Sequence, residues 1–181
     1  MQKRAIFLDR DGVINAAHII NGKPYPPQNI LALRLLPQVA DALHSFKKQG
    51  FKLIVVTNQP DVARGNNSFA NITEINKYLM QNLPLDAIKV CWHGDDHSCQ
   101  CRKPKPGLLL EAAQEYNIDL QNSYMVGDRW RDIDAGHLAG CRTFWIDYQY
   151  QEQQPDNYDW RVQSLYQVSL LINGEKNAVT K

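Results

Sequence analysis

The 181-residue chain has no apolar run approaching the roughly 20 residues that cross a bilayer. It has little excess charge, a formal net of +1, and no basic stripe, so neither nucleic acid nor a membrane surface is an expected partner. A leader peptide is not apparent either. Met1-Gln2-Lys3-Arg4 runs straight into Ala5-Ile6-Phe7-Leu8, and four apolar residues are too few for a signal-peptide core. A cytoplasmic protein is therefore expected. Cysteine is scarce, four residues in all, yet three of them crowd into residues 91–101 beside a histidine. In a reducing compartment that crowding points to a metal before it points to disulfides.

What the chain does have is alternation. Strand-like runs recur at Ala5–Leu8, Lys52–Val56, Ile88–Cys91, Ser123–Val126 and Arg142–Ile146. Helical periodicity fills most of the gaps. Pro37–Lys48 places Val39, Leu43 and Phe46 on one face, and Gly50 closes it. Ile72–Leu83, Pro106–Tyr116 with Leu109, Leu110 and Ala113 inward, Arg131–Ala139 and Asp159–Ile172 are the other helices expected. Strands alternating with helices predict one α/β domain over residues 1–172, a Rossmann-like parallel sheet with helices on both faces. The polar stretch Asn173–Lys181 is expected to be a disordered tail.

In such a sheet, ligands gather beyond the carboxyl ends of the strands. Four short motifs fall there. "FLDRDG" delivers Asp9 and Asp11, "VVTN" delivers Thr57 and Asn58, "CRKPKPG" brings Arg102 and Lys103, and "MVGD" ends in Asp128. Two carboxylates one residue apart repel unless something cationic sits beside them. An oxygen-rich pocket of Asp9, Asp11 and Asp128 suits Mg²⁺, and a carboxylate there can attack phosphorus while a second one moves the proton. Taken singly, each motif has a plainer explanation as a turn, a cap or a solvated loop; their shared order and strand-end placement favour chemistry.

These motifs resemble the haloacid dehalogenase superfamily of aspartyl phosphatases, with "DRDG", "VVTNQ", "RKPKPG" and "GDRWRD" in its motif order. The resemblance implies Asp9 as nucleophile and Asp11 as general acid/base. It implies Mg²⁺ held by Asp9, Asp128 and the backbone carbonyl of Asp11, with Asp132 supporting the metal from behind. Thr57 and Asn58 would hold the phosphoryl group, and Lys103 would offset the charge on Asp9.

"CWHGDDHSCQC" offers Cys91, His93, Cys99 and Cys101, a C-x-H-x5-C-x-C spacing. Three thiolates and one imidazole make the closed tetrahedral set of structural zinc. His97 is the alternative imidazole, and Cys141 reads as a core thiol. A zinc loop leading into "CRKPKPG" resembles the superfamily branch of heptose bisphosphate and histidinol-phosphate phosphatases, from Arg4 to about Asp147. The chain departs from that branch at Pro60-Asp61, usually Ser-Gly, and in a shorter zinc loop. The segments between motifs leave no room for a separate cap domain. Arg102 and Arg64, with Lys105 or Arg129 as further candidates, would grip a second anionic group of a phosphorylated sugar. The expectation is a monomeric phosphatase of surface-polysaccharide precursor synthesis, with histidinol phosphate or another small phosphomonoester as the alternative substrate. A zinc-stabilised scaffold is the non-catalytic alternative, and the joint presence of Asp9, Asp11, Thr57, Lys103 and Asp128 argues against it.

Overall fold

The computed structural model describes residues 2–94 and 97–179. Strand β1 (Ala5–Leu8) is followed by a hairpin, β2 (His18–Ile20) and β3 (Lys23–Tyr25), and then by α1 (Val39–Lys48) and β4 (Lys52–Asn58). Next come a single turn of helix, α2 (Pro60–Ala63), then α3 (Phe69–Asn82), β5 (Ala87–Cys91), α4 (Gly107–Tyr116), β6 (Tyr124–Gly127), α5 (Trp130–Ala139), β7 (Arg142–Ile146), β8 (Trp160–Val162) and α6 (Leu165–Val179). Six strands form one sheet in the order β5-β4-β1-β6-β7-β8, every pair parallel. The chain moves outward from β1 to β4 and β5, then crosses back to β6 on the other side of β1. That reversal places the topological switch point between the ends of β1 and β6, where Asp9 and Asp128 begin their loops.

The period of two along the strands divides the core. Ile6 and Leu8 face one side with Leu53, Val55 and Val126, covered by Val39, Leu43 and Phe46 of α1, Ile75 and Leu79 of α3, and Val168 and Ile172 of α6. Ala5 and Phe7 face the other with Ile54, Val56 and Met125, under α4 and α5. Helices thus cover both faces. The segment between β1 and α1 holds only the hairpin and a single 3-10 turn, so no cap domain is inserted there. Among the described residues no helix is long and apolar enough to cross a membrane.

Two local expectations are corrected. In α4 the inward residues are Leu108, Leu109 and Ala112, while Leu110 is 46 % exposed. The helix starts at Gly107, which packs so tightly on the Gln100 carbonyl that a Cβ would lie 2.2 Å from it, and this fixes the rotation of the helix. Residues 160–162 are a strand rather than the start of the last helix. Trp160 stacks on Phe144 at 4.6 Å, and Asp159 accepts both the backbone N–H and the hydroxyl of Thr143. The last helix spans Leu165–Val179, and Asn173 within it is hydrogen-bonded to Gln49 and Ser45 at α1. Thr180 and Lys181 lie outside the described residues.

The start of β5, which leads into the cysteine-rich loop, is pinned by Asp86. Its carboxylate accepts from Lys47, Lys52 and the N–H of Leu53 at 2.7–2.8 Å. Partial burial opposes its charge, but the two ammonium groups and the N–H prevail and hold its pKa below the ordinary 3.8. The stabilisation is therefore whole well above pH 3.8 and drains away as pH falls through the lower folded value. Asp86→Asn is expected to cost about 1 kcal/mol near neutral pH, about 2–4 °C in Tm for a chain this size. The gap to wild type should close in melts below pH 3.8; a gap that stays constant there would exclude this account.

Candidate active site

Three carboxylates and one ammonium meet at the switch point. Asp9 continues β1, its N–H held by the Val126 carbonyl of β6 at 2.9 Å. Asp128 follows β6, and Asp132 lies in the first turn of α5. Carboxylate oxygens of Asp9, Asp128 and Asp132 lie within 4.8 Å of one another, and all three residues are buried. Lys103 reaches in from the loop before α4. Its Nζ donates to Asp9 Oδ1 at 2.7 Å and to the Val56 carbonyl at 2.7 Å, and pairs with Asp132 Oδ1 at 2.6 Å. All three ammonium protons thus have acceptors, the condition under which a buried charge is tolerated.

The electrostatics show a site short of positive charge. Burial pushes Asp9 up to about 6 despite Lys103, with Asp132 and Asp11 adding to the effect. Burial, then the charges of Asp132 and Asp9, raise Asp128 well above the ordinary value. Burial works against Lys103 as well, but Asp132 and Asp9 outweigh it and keep the ammonium charged. Three carboxylates against one ammonium leave two formal negative charges, which one divalent cation would cancel. The oxygens differ in availability. Both oxygens of Asp132 are occupied, one by Lys103 and one by the Arg129 N–H at 3.0 Å. Asp128 Oδ2 accepts from the Tyr150 hydroxyl at 2.9 Å, whereas Asp128 Oδ1 is buried with no partner. A bare buried carboxylate oxygen beside Asp9 fits a hard cation such as Mg²⁺.

Asp11 stands apart from this cluster. Arg10 donates to both of its oxygens at 3.1 and 2.9 Å, Asn15 donates to Oδ1, and Gln59 donates to Oδ2. Arg10 is wholly buried and also binds Asn76 of α3. Gln59 additionally donates to Thr57 Oγ1 at 3.0 Å, so the Thr57 hydroxyl keeps its own proton for another acceptor. Gly12 makes the turn after Asp11 possible. Its φ is +91°, and a Cβ there would lie 1.9 Å from Asp128 Oδ2.

A cleft of about 320 Å³ opens over these residues, lined by Asp9, Asp11, Thr57, Asn58, Lys103 and Asp132 at its floor. Arg64, Arg102, Arg129 and Arg131 line it too, as do Lys23 and Tyr25 from the β2–β3 hairpin. The sequence had singled out neither Arg131 nor the hairpin, and it missed Arg10, Gln59 and Tyr150. An arginine set between the two aspartates of "DRDG" was the available signal for Arg10. The side chain of Asn58 is already used, clamping both the N–H and the carbonyl of Lys103 at 3.1 and 3.0 Å. Arg129 forms a bidentate pair with Glu152. Lys105 is directed to the Cys99 carbonyl at 2.6 Å. Arg102 donates to the His93 carbonyl, and Arg64 pairs with Asp61.

A second cluster sits beside the cleft. Cys91, His93, Cys99 and Cys101 offer ligand atoms within 4.8 Å of one another; Cys101 Sγ is 3.2 Å from both Cys91 Sγ and His93 Nδ1. His93 supplies the imidazole, while His97 is a ring neighbour at 5.5 Å. Asp95 and Asp96 of this loop lie outside the described residues. Burial and neighbouring thiols push Cys101 up to about 12, so a set of thiolates here needs a cation. The donor set and its closeness fit tetrahedral Zn²⁺. Cys141 sits apart in the apolar core, its thiol pushed up to about 12 by burial.

An aspartate ending the central strand, a buried lysine beside it and carboxylates across the switch point define the class: a hydrolase of the haloacid dehalogenase type. The HAD-hydrolase-like family model matches residues 100–159. A D-glycero-beta-D-manno-heptose-1,7-bisphosphate 7-phosphatase of Yersinia pestis is 40 % identical over 151 residues, covering 77 % of each chain. One from Helicobacter pylori is 37 % identical over 146 residues, covering 77 % of this chain and 81 % of its own. The crystal structure of D,D-heptose 1,7-bisphosphate phosphatase from B. bronchiseptica, complexed with magnesium and phosphate, superposes with a TM-score of 0.79 at 29 % identity. It covers 95 % of this chain and 99 % of that one. The chain belongs to the phosphatase family of these proteins, within the HAD-like hydrolases.

Two predictions arise from this geometry. Gly12→Ala drives a methyl group into Asp128 and is expected to lower kcat/KM about a hundredfold or more, the scale of an ångström-sized displacement of a reacting group. Phosphate release at unchanged Tm would report it, and a rate near wild type would show that Asp128 tolerates the shift. Chelator-free purification is expected to give about one zinc per chain, as a four-ligand site requires. Cys101→Ser should lose that zinc and lower Tm; a metal-free wild type of full thermal stability would exclude the zinc assignment.

Proposed function

We propose that the chain removes the 7-phosphate of a heptose 1,7-bisphosphate, in the cytoplasm, for surface-polysaccharide precursors. The observation carrying this reading is the cationic rim, Arg64 and Arg102, standing over the Asp9–Lys103 floor of a cleft that no cap domain covers. The names of relatives 35–40 % identical support the substrate. Four cysteines free of disulfides support a reducing compartment.

In this mechanism Lys103 holds Asp9 Oδ1, so Oδ2 is the attacking oxygen. The Asp9 Oδ2–phosphorus bond forms as the phosphorus–sugar oxygen bond breaks, and Asp11 gives its proton to the departing oxygen. Asp11 then takes a proton from water, whose oxygen displaces Asp9 from phosphorus and releases inorganic phosphate. The Thr57 hydroxyl and the Lys103 ammonium hold the transferring group, and Asn58 keeps Lys103 in place. Asp9 and Asp128, with the Asp11 backbone carbonyl, would hold Mg²⁺, which when bound neutralises phosphoryl charge. Asp132 supports Lys103 and that site from behind. Arg102, with Arg64 beside it, receives the second phosphate, so binding energy from the non-reacting end orients the reacting one. Arg129, committed to Glu152, has the lesser part in this.

The test is kcat/KM for heptose 1,7-bisphosphate against heptose 7-phosphate, in wild type and in Arg102→Ala. Wild type should prefer the bisphosphate by about a hundredfold, the worth of two charge-assisted hydrogen bonds. Arg102→Ala should erase most of that preference and leave slow monophosphate hydrolysis nearly unchanged. Equal wild-type values for the two sugars would overturn the bisphosphate reading in favour of histidinol phosphate or another small phosphomonoester. No turnover of any phosphomonoester would favour a scaffold.

A further inference from the structure

Residues 148–152, just after β7, belong to no helix or strand, yet they touch the site on three sides. The Tyr150 hydroxyl donates to Asp128 Oδ2 at 2.9 Å. The Gln151 N–H donates to the Gly22 carbonyl in the β2–β3 hairpin at 2.8 Å. Glu152 takes the guanidinium of Arg129. Within β7 itself, the Trp145 indole N–H donates to the Asp128 carbonyl at 3.2 Å. Asp128 is therefore held at its backbone by one aromatic residue and at its side chain by another.

The two oxygens of Asp128 have different fates as a result. Oδ2 is enclosed by the Tyr150 hydroxyl and by Gly12, whose missing Cβ leaves only enough space for it. Oδ1 is buried with no partner, and a carboxylate oxygen of Asp128 lies within 4.8 Å of those of Asp9 and Asp132. A carboxylate with a free χ2 can turn either oxygen to a cation and loses that freedom on binding. The Tyr150 bond removes the freedom in advance. The phenol is itself fixed, since Tyr150 is buried and its ring stacks on Tyr148 at 5.5 Å and 26°.

We propose that Tyr150 is a positioning residue for the divalent-cation site, pinning Asp128 Oδ2 so that Oδ1 is the oxygen presented to the ion. This rests on reading Asp128 as a ligand of that ion. Groups that orient a metal's ligands are worth about 10–100-fold in metal affinity. Tyr150→Phe keeps the ring, its stack and its volume, and deletes only the donor.

The experiment is calorimetric titration of the full-length, zinc-loaded protein with MgCl₂, for wild type, Tyr150→Phe and Asp128→Asn, with Tm and zinc content measured alongside. Tyr150→Phe is expected to weaken Mg²⁺ binding about tenfold. It should raise the Mg²⁺ concentration for half-maximal phosphate release by the same factor and keep kcat at saturating Mg²⁺ within about twofold. Asp128→Asn should show no binding in the same range. If Tyr150→Phe binds Mg²⁺ as wild type does while Asp128→Asn does not, the positioning role fails and the ligand assignment stands. A lowered Tm and kcat with unchanged Mg²⁺ affinity would equally overturn it, since that is what a structural tyrosine would give. Wild-type Mg²⁺ affinity in Asp128→Asn would overturn the ligand assignment and this inference together.

Discussion

The contact between Lys103 and the carboxylates of Asp9 and Asp132 is the one on which the rest of this molecule depends. An ammonium with about 2 % exposure is a liability unless every proton is accepted. Here Asp9, Asp132 and the Val56 carbonyl accept all three. Those acceptors come from the end of β1, the first turn of α5 and the interior of β4, and the lysine comes from the loop before α4. Four separate parts of the chain must be in register before this charge is satisfied. Against that contact, burial first and then the neighbouring carboxylates push Asp9 and Asp128 up, and the site is left with negative charge to spare. Stability and appetite for a cation thus come from one arrangement.

The cysteine-rich loop acquires its meaning from that lysine. Cys101 is separated from Lys103 only by Arg102, so whatever fixes Cys101 fixes the base of both cations. Two devices hold this pedestal. The side chain of Asn58 clamps the backbone of Lys103 from β4, and the Cys91–His93–Cys99–Cys101 cluster gathers the preceding loop against the end of β5. A short polar loop buries little apolar surface to define its own shape, and a metal with four ligands would supply that definition.

The cleft has two kinds of wall. Its floor is built on strand ends and is rigid for that reason. Its rim is built on loops that brace one another: the β2–β3 hairpin on Gln151, Arg129 on Glu152, Arg64 on Asp61 and Arg102 on the His93 carbonyl. In the proposed mechanism the chemistry sits on the floor, where a displacement is expensive. The same proposal gives recognition of the rest of the substrate to the rim, which is carried on loops.

Much of the floor was legible in the sequence. Strands β1 and β7 were bounded correctly: β1 because a buried parallel strand reads as a near-continuous apolar run, and β7 from Phe144-Trp145-Ile146 even though it opens on Arg142 and Thr143. Asp9, Thr57 and Asp128 were legible because each ends or follows a strand at the same rim of the sheet, and Lys103 because it precedes a helix that starts there. The grouping of Cys91, His93, Cys99 and Cys101 was legible because soft ligands so close in sequence have no packing reason to be there. The tertiary structure alone decided the rest. The hairpin is short, and Ile19, Ile20 and Tyr25 are exposed, so no burial pattern announced it. The rotation of α4 depended on Gly107 meeting Gln100, seven residues back across a loop. Tyr150, Glu152 and Arg10 act through partners set by the fold: Asp128 is 22 residues from Tyr150, Arg129 is 23 from Glu152, and Asn76 is 66 from Arg10. Periodicity reports which face of an element is buried, and a motif reports which chemistry is present. Which oxygen of Asp128 is left bare was determined only when β6, β7 and the segment after it came together.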